Sequence, residues 1–219
     1  MLKNEYCFGK IEIDLMENMI GMKMFTERKI EAISKAAYNI LSGDIEAARM
    51  EIKGSYEFKP FVPKTRNYTD KQKLIQFCRD GFIDRYSGQK LINPGLLRTI
   101  STYIPDEFPF QKNWKMSECH IAYWEFVPTL DHIVPIALGG VDAESNWATT
   151  SMMHNHIKNN WTLEQLNWHL CSPGDINEWD GLTSQFIELV NTNTDLLNDN
   201  YIKNWYRLSK KALQDVNKK

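Results

Sequence analysis

The chain has 219 residues, 42% hydrophobic and 25% charged, with 26 Lys and Arg against 28 Asp and Glu and a formal net charge of −2. That balance describes an ordinary folded chain long enough to bury a sizeable core, and it excludes disordered, collagen-like and repeat architectures. It also excludes a globally basic nucleic-acid binder, so any phosphate-binding surface has to be local.

Taken in chain order, Thr26 to Gly43 predicts a helix, with Thr26 as N-cap, an apolar face of Ile30, Ile33, Ala37 and Ile40, and Gly43 as the stop. Asp44 predicts the cap of a second helix ending near Gly54. Ser55 to Tyr68 carries Pro60 and Pro63 with little periodicity and predicts a strap or linker, which suggests a domain boundary. Beyond it, Thr69 or Asp70 caps a short helix through Arg79. Gly81 and Phe82 to Tyr86 then predict a strand, with a turn at Ser87-Gly88 and a return strand. Pro94 fits the first turn of a helix to about Tyr103, and a short helix is expected over Ser117 to Trp124. Thr129 to Val134 reads as β, Leu138-Gly139-Gly140 as a turn, Asn146 to Thr150 as β, and Ser151 opens a helix through Asn160. Thr162 caps a further turn, and Leu182 to Val190 and Leu196 to Val216 predict two closing helices.

No apolar run approaches the roughly 18 residues needed to cross a bilayer, and residues 3–17 alternate apolar with charged side chains. The expectation is a cytoplasmic protein without a membrane partner. Cys7, Cys78, Cys119 and Cys171 are far apart and form no Cys-x-x-Cys pair, so reduced thiols are expected. A structural zinc site drawn from Cys119, His120, His154 or Cys171 lacks a recognisable ligand spacing. Local basic surface is offered by Lys59 to Lys90 and by the C-terminal Lys203, Arg207, Lys210, Lys211, Lys218 and Lys219; each is otherwise a solvated face.

The most informative string is Leu130-Asp131-His132-Ile133-Val134-Pro135, followed by Gly139-Gly140, Asn146, Asn155 and Lys158. It resembles the HNH endonuclease family, in its Asp-His…Asn…Asn variant. In that family a His beside a metal-binding Asp ends a strand, an Asn follows fourteen residues later, and a His or Asn ligand nine beyond that; His132, Asn146 and Asn155 reproduce both intervals. Weaker likeness to a bacterial HNH group runs through Arg79 to Gly88, Ala122 to Glu125 and Asn160 to Glu164. The paired Cys-x-x-Cys motifs that hold zinc in some members are missing.

Phosphodiester hydrolysis needs a base for the attacking water and positive charge for the developing phosphorane. His132 suits the first task, its unperturbed pKa being near roughly 6.5. The resemblance implies one divalent ion, magnesium first and manganese second, held by Asp131 and Asn155 with open positions for phosphate and water. It also implies that Asn146 does no chemistry of its own but braces the loop that aims His132. His154 and His156 are rival ligands. Neighbours on a helix point about 100° apart, so only one of the three residues faces the site, and the interval from Asn146 selects Asn155. Lys158, one turn on, lies on the same face as a candidate phosphate contact or a solvated side chain, and Arg79 and Arg85 are candidate phosphate grips or internal ion pairs.

The expected fold is α+β and helix-rich, with a central ββα-metal motif surrounded by helices. Residues 1–66 form an N-terminal helical region and strap, 67–182 the HNH domain with its core at 128–161, and 183–219 C-terminal helices packed on that core. The expected function is metal-dependent cleavage of DNA, the alternative being an inactive HNH scaffold that binds nucleic acid or a partner protein. A homodimer through the N-terminal helices would supply two cuts.

Overall fold

A computed structural model describes residues 27–58, 60 and 68–216 of the chain, with side chains to residue 213. It divides into two compact units, Met1–Pro63 and Lys64–Lys219, with the boundary inside the strap expected between Ser55 and Tyr68. The first unit contributes helix α1 over residues 27–41 and α2, Ile45–Ser55. Gly43 turns the chain between them at φ +83°, and the Asp44 side chain accepts from Ala47 N at 2.9 Å to cap α2. The proposed cap Thr26 lies outside the described residues. The expected apolar face of α1 is not buried in this unit. Ile30, Ile33 and Ile40 are exposed, and the buried residues are the small Ala32, Ala36 and Ala48. Ala36 and Ile40 face Ala48 and Ile52 across a cleft of about 620 Å³.

Among its described residues the second unit is helix-rich α+β with one two-stranded antiparallel sheet. Its elements are α3 (Asp70–Arg79), α4 (Pro94–Tyr103), α5 (Ala122–Phe126), β1 (Pro128–His132), β2 (Trp147–Ser151), α6 (Met152–Lys158), α7 (Leu163–Leu166), α8 (Thr183–Thr192) and α9 (Asn200–Val216). Several begin where a local signal puts them. Thr69 and Gln72 form a capping box for α3, Thr162 and Gln165 one for α7, Ser151 caps α6 through His154 N, and Pro94 opens α4 behind the Asn93 cap.

Helices α3, α4, α8 and α9 pack around Phe77, Phe82, Leu96, Phe186, Ile202 and Trp205. Each large side chain buried this way contributes about 1.5–3 kcal/mol. Asn93 is fully buried at the centre, donating to Thr183 Oγ1 at 3.2 Å and Ser209 Oγ at 2.9 Å, so one amide links the starts of α4 and α8 to α9. The outer face of α9 carries the exposed Lys203, Arg207, Lys210 and Lys211. Helices α8 and α9, expected as a C-terminal region, share this unit with the sheet.

Three sequence expectations change. Residues 82–86 form no strand: Gly81 and Phe82 are both left-handed, at φ +59° and +50°, which turns the chain instead of extending it, and only an isolated bridge joins Ile83 to Lys90. The helix expected from Ser117 starts at Ala122, because His120 N is drawn to Pro109 O and His120 Nδ1 accepts from Ala122 N. The last helix starts at Asn200, after a 3-10 turn over Thr194–Asn198.

Loop 80–85 takes the place of a third strand beside β2. Thr149 N donates to Asp80 Oδ2 and Ser151 N to Asp84 Oδ2, both at 2.8 Å, while Arg85 N donates to Thr149 O at 2.8 Å. Backbone N–H groups of β2 that face away from β1 are thereby satisfied by buried carboxylates, and the Thr149 carbonyl by a backbone N–H. No helix among the described residues is long and apolar enough to cross a membrane.

Candidate active site

The pairing of β1 with β2 runs from Pro128 opposite Ser151 to His132 opposite Trp147. Alternation along a strand puts Thr129 and Asp131 on one face and His132 on the other. Helix α6 follows β2 directly and contacts both strands.

Asp131 is 7% exposed, and its Oδ2 accepts from Tyr86 Oη at 2.7 Å and from Lys158 Nζ at 2.8 Å. Lys158 is 0% exposed and also donates to the His132 carbonyl at 2.7 Å, with its ammonium 5.6 Å from the Tyr86 ring centroid. Its expected role is therefore corrected: the side chain is neither solvated nor directed at an external phosphate. The cause is electrostatic, since the buried carboxylate needs a counter-charge and α6 ends at the residue able to supply it. Burial, then the Asp131 carboxylate beside it, pushes the Tyr86 phenol above its ordinary value.

Asn155 donates through Nδ2 to Thr129 Oγ1 at 2.9 Å, which holds its amide against the β1 face that carries Asp131. Its Oδ1, and Oδ1 of Asp131, accept no hydrogen bond among the described residues. The two rival ligands are engaged otherwise. His154 Nδ1 donates to Asp84 Oδ2 at 2.7 Å and its ring meets Trp168 edge-on, whereas His156 is exposed and lies edge-on to Trp124.

The His132 imidazole, at the end of β1, is 3% exposed. Its Nε2 lies 3.0 Å from Asp142 Oδ1 and 2.9 Å from Tyr68 Oη. The same Asp142 oxygen accepts from Tyr68 Oη at 2.7 Å and from Trp147 Nε1 at 3.1 Å. These bonds, that from His132 foremost and that from Tyr68 next, hold the Asp142 carboxyl below its ordinary value.

Between the strands, Asn146 occupies a bracing position. Its Oδ1 accepts from Val134 N at 2.8 Å, and its Nδ2 donates to Val134 O and Val141 O, both at 2.9 Å. One buried amide thus pins both limbs of the loop that leaves His132. Gly140 lets the limbs approach, because a Cβ there would stand 1.9 Å from Val134 O.

The arginines belong mainly to the scaffold. Arg85 donates to Asp80 Oδ1 at 2.6 Å and Cys171 O at 2.5 Å, with a side chain only 14% exposed, so it neutralises the carboxylate that serves β2 and does not present a phosphate grip. Arg79 is half-exposed and paired with Glu144, in the turn that leads to Asn146. Asp142, Tyr68 and Tyr86 were not singled out from the sequence. The signal for Asp142 was an acid in the loop of a hairpin whose ends carry His132 and Trp147; the tyrosines come from distant segments and left no local trace.

Among the described residues no group of three or more His, Cys, Asp and Glu side chains is placed to hold a metal ion, and Cys78, Cys119 and Cys171 are free thiols. The oxygens left without a hydrogen bond among the described residues, Oδ1 of Asp131 and Oδ1 of Asn155, are donors of hard character. Comparison with protein-family models, with curated proteins and with solved structures finds no match.

Proposed function

We propose that the protein is a metal-dependent endonuclease of the HNH type, hydrolysing DNA phosphodiester bonds. The observation that carries this reading is the Asn155 amide held by Thr129 against the β1 face that carries Asp131, with His132 as the next and last residue of that strand and its loop pinned by the Asn146 amide. Two oxygen donors fit magnesium, which keeps most of its waters and takes few protein ligands. Such an ion supplies positive charge for the phosphorane and the leaving oxygen.

The chain's own groups do the rest. His132 accepts a proton from the attacking water, at an imidazole fixed by its surroundings and not by solvent. Asn146 keeps residues 133–141 from drifting, which keeps the ring aimed. Lys158 and Tyr86 orient the Asp131 carboxylate by occupying its Oδ2. DNA is then held by exposed basic side chains other than Lys158 and Arg85.

The test is supercoiled plasmid incubated with magnesium, with manganese and with chelator. Wild-type protein is expected to nick only with metal, and His132→Ala to lose that activity; cleavage that persists fully in His132→Ala refutes the assignment. A second reading, an HNH scaffold that binds nucleic acid or a partner without cutting, is favoured by one feature: the Lys158 ammonium already neutralises Asp131. Binding without cleavage across both metals would select it.

A further inference from the structure

The three groups around His132 Nε2 share a small number of protons. Asp142 is held ionised and only accepts, the Tyr68 hydroxyl has one proton, and that proton is directed to Asp142 Oδ1 at 2.7 Å. If Nε2 lacked a hydrogen, its lone pair would face the carboxylate oxygen at 3.0 Å with nothing between them. A hydrogen on Nε2 removes that repulsion and gives Asp142 Oδ1 three donors, with Trp147 Nε1 the third. Nδ1 makes no hydrogen bond among the described residues, so the ring's remaining lone pair lies there.

We propose that Asp142 is a positioning residue: its carboxylate fixes neutral His132 as the Nε2–H tautomer and so makes Nδ1 the atom that accepts the proton. In its catalytic consequence the proposal rests on the endonuclease reading. Nδ1 takes one proton from the attacking water, whose oxygen bonds to phosphorus as the bond to the leaving oxygen breaks. The leaving oxygen is protonated from solvent, and the imidazolium returns its extra proton to solvent.

Tyr68 makes the proposal testable. Once the carboxylate is removed, its hydroxyl, 2.9 Å from Nε2, loses an acceptor and turns its proton toward the ring, which favours Nδ1–H. The measurement is the two-bond ¹H–¹⁵N spectrum of the histidine rings with imidazole neutral, His132 being assigned by its loss in His132→Gln. Wild type and Asp142→Asn, whose amide oxygen still accepts, are expected to show protonated Nε2 and bare Nδ1. Asp142→Ala is expected to show the reverse and to lose cleavage by roughly 10²- to 10⁴-fold, the worth of a positioned base. The double variant Asp142→Ala with Tyr68→Phe should return to the Nε2–H pattern. A wild-type ring protonated at Nδ1, or an Asp142→Ala ring with the wild-type pattern, overturns the proposal. The spectra need no substrate, so absence of cleavage by the wild type would count against the endonuclease reading while leaving the tautomer assignment to stand or fall by itself.

Discussion

Replacing Lys158 by methionine keeps most of the apolar stem and removes the charge that faces Asp131. The carboxylate, on a residue 7% exposed, is then left with Tyr86 as its one side-chain donor among the described residues, and the His132 carbonyl loses its bond at 2.7 Å. Breaking a buried ion pair from one side costs about 3–5 kcal/mol, because the remaining charge has lost its partner without regaining water. With a urea m-value of about 1–3 kcal/mol/M, the midpoint falls by on the order of 2 M. The assay is urea unfolding at neutral pH, followed by tryptophan fluorescence and circular dichroism. The double variant Asp131→Asn with Lys158→Met removes both charges and is expected to recover most of the loss, which appears as coupling in the mutant cycle. A single-variant loss below about 1 kcal/mol, or losses that simply add, refutes the buried pair.

Asn146→Ala removes three backbone hydrogen bonds at once and should cost about 2–4 kcal/mol by the same assay; a shift under about 0.5 kcal/mol contradicts the bracing role. Gly140→Ala should be similarly damaging, since its Cβ meets Val134 O, while Gly139→Ala, at φ +91° with open space around it, should lose only about 1–2 kcal/mol. Equal effects at the two glycines would contradict the close approach. Burial raises the Cys78 thiol from 9.0 to about 12, so its contribution to stability is complete below pH 9 and is lost as pH rises toward 12. Cys78→Ser, lacking that ionisation, should flatten the fall in stability over that window by up to about 1.4 kcal/mol per pH unit; an unchanged slope rules this out.

Signals that act over one turn of chain were legible. Thr69, Ser151 and Thr162 cap the helices expected of them, Pro94 opens its helix, and the strands Pro128–His132 and Trp147–Ser151 fall within two residues of the β segments expected at Thr129–Val134 and Asn146–Thr150. Residues whose state is set by distant partners were not. The run Phe82 to Tyr86 has the aromatic and β-branched residues of a strand, but its Asp84 and the preceding Asp80 reach β2 through their carboxylates instead of extending a regular backbone ladder. Lys158 looks like any basic residue near a helix end, and only Asp131, twenty-seven positions earlier, makes its burial tolerable. The His132 surroundings draw on Tyr68 and Asp142, and no periodicity links either to the imidazole.

The loop from Asp80 to Arg85 has a consequence for any attempt to shorten the protein. Residues 128–161 look like a portable cassette, but the outer rim of their hairpin is lined by two acids borrowed from upstream, one of which also grips the His154 ring. Cut out alone, the cassette would present Thr149 N and Ser151 N to water on a bare strand rim open to pairing with other chains. The smallest transplantable piece therefore begins no later than α3.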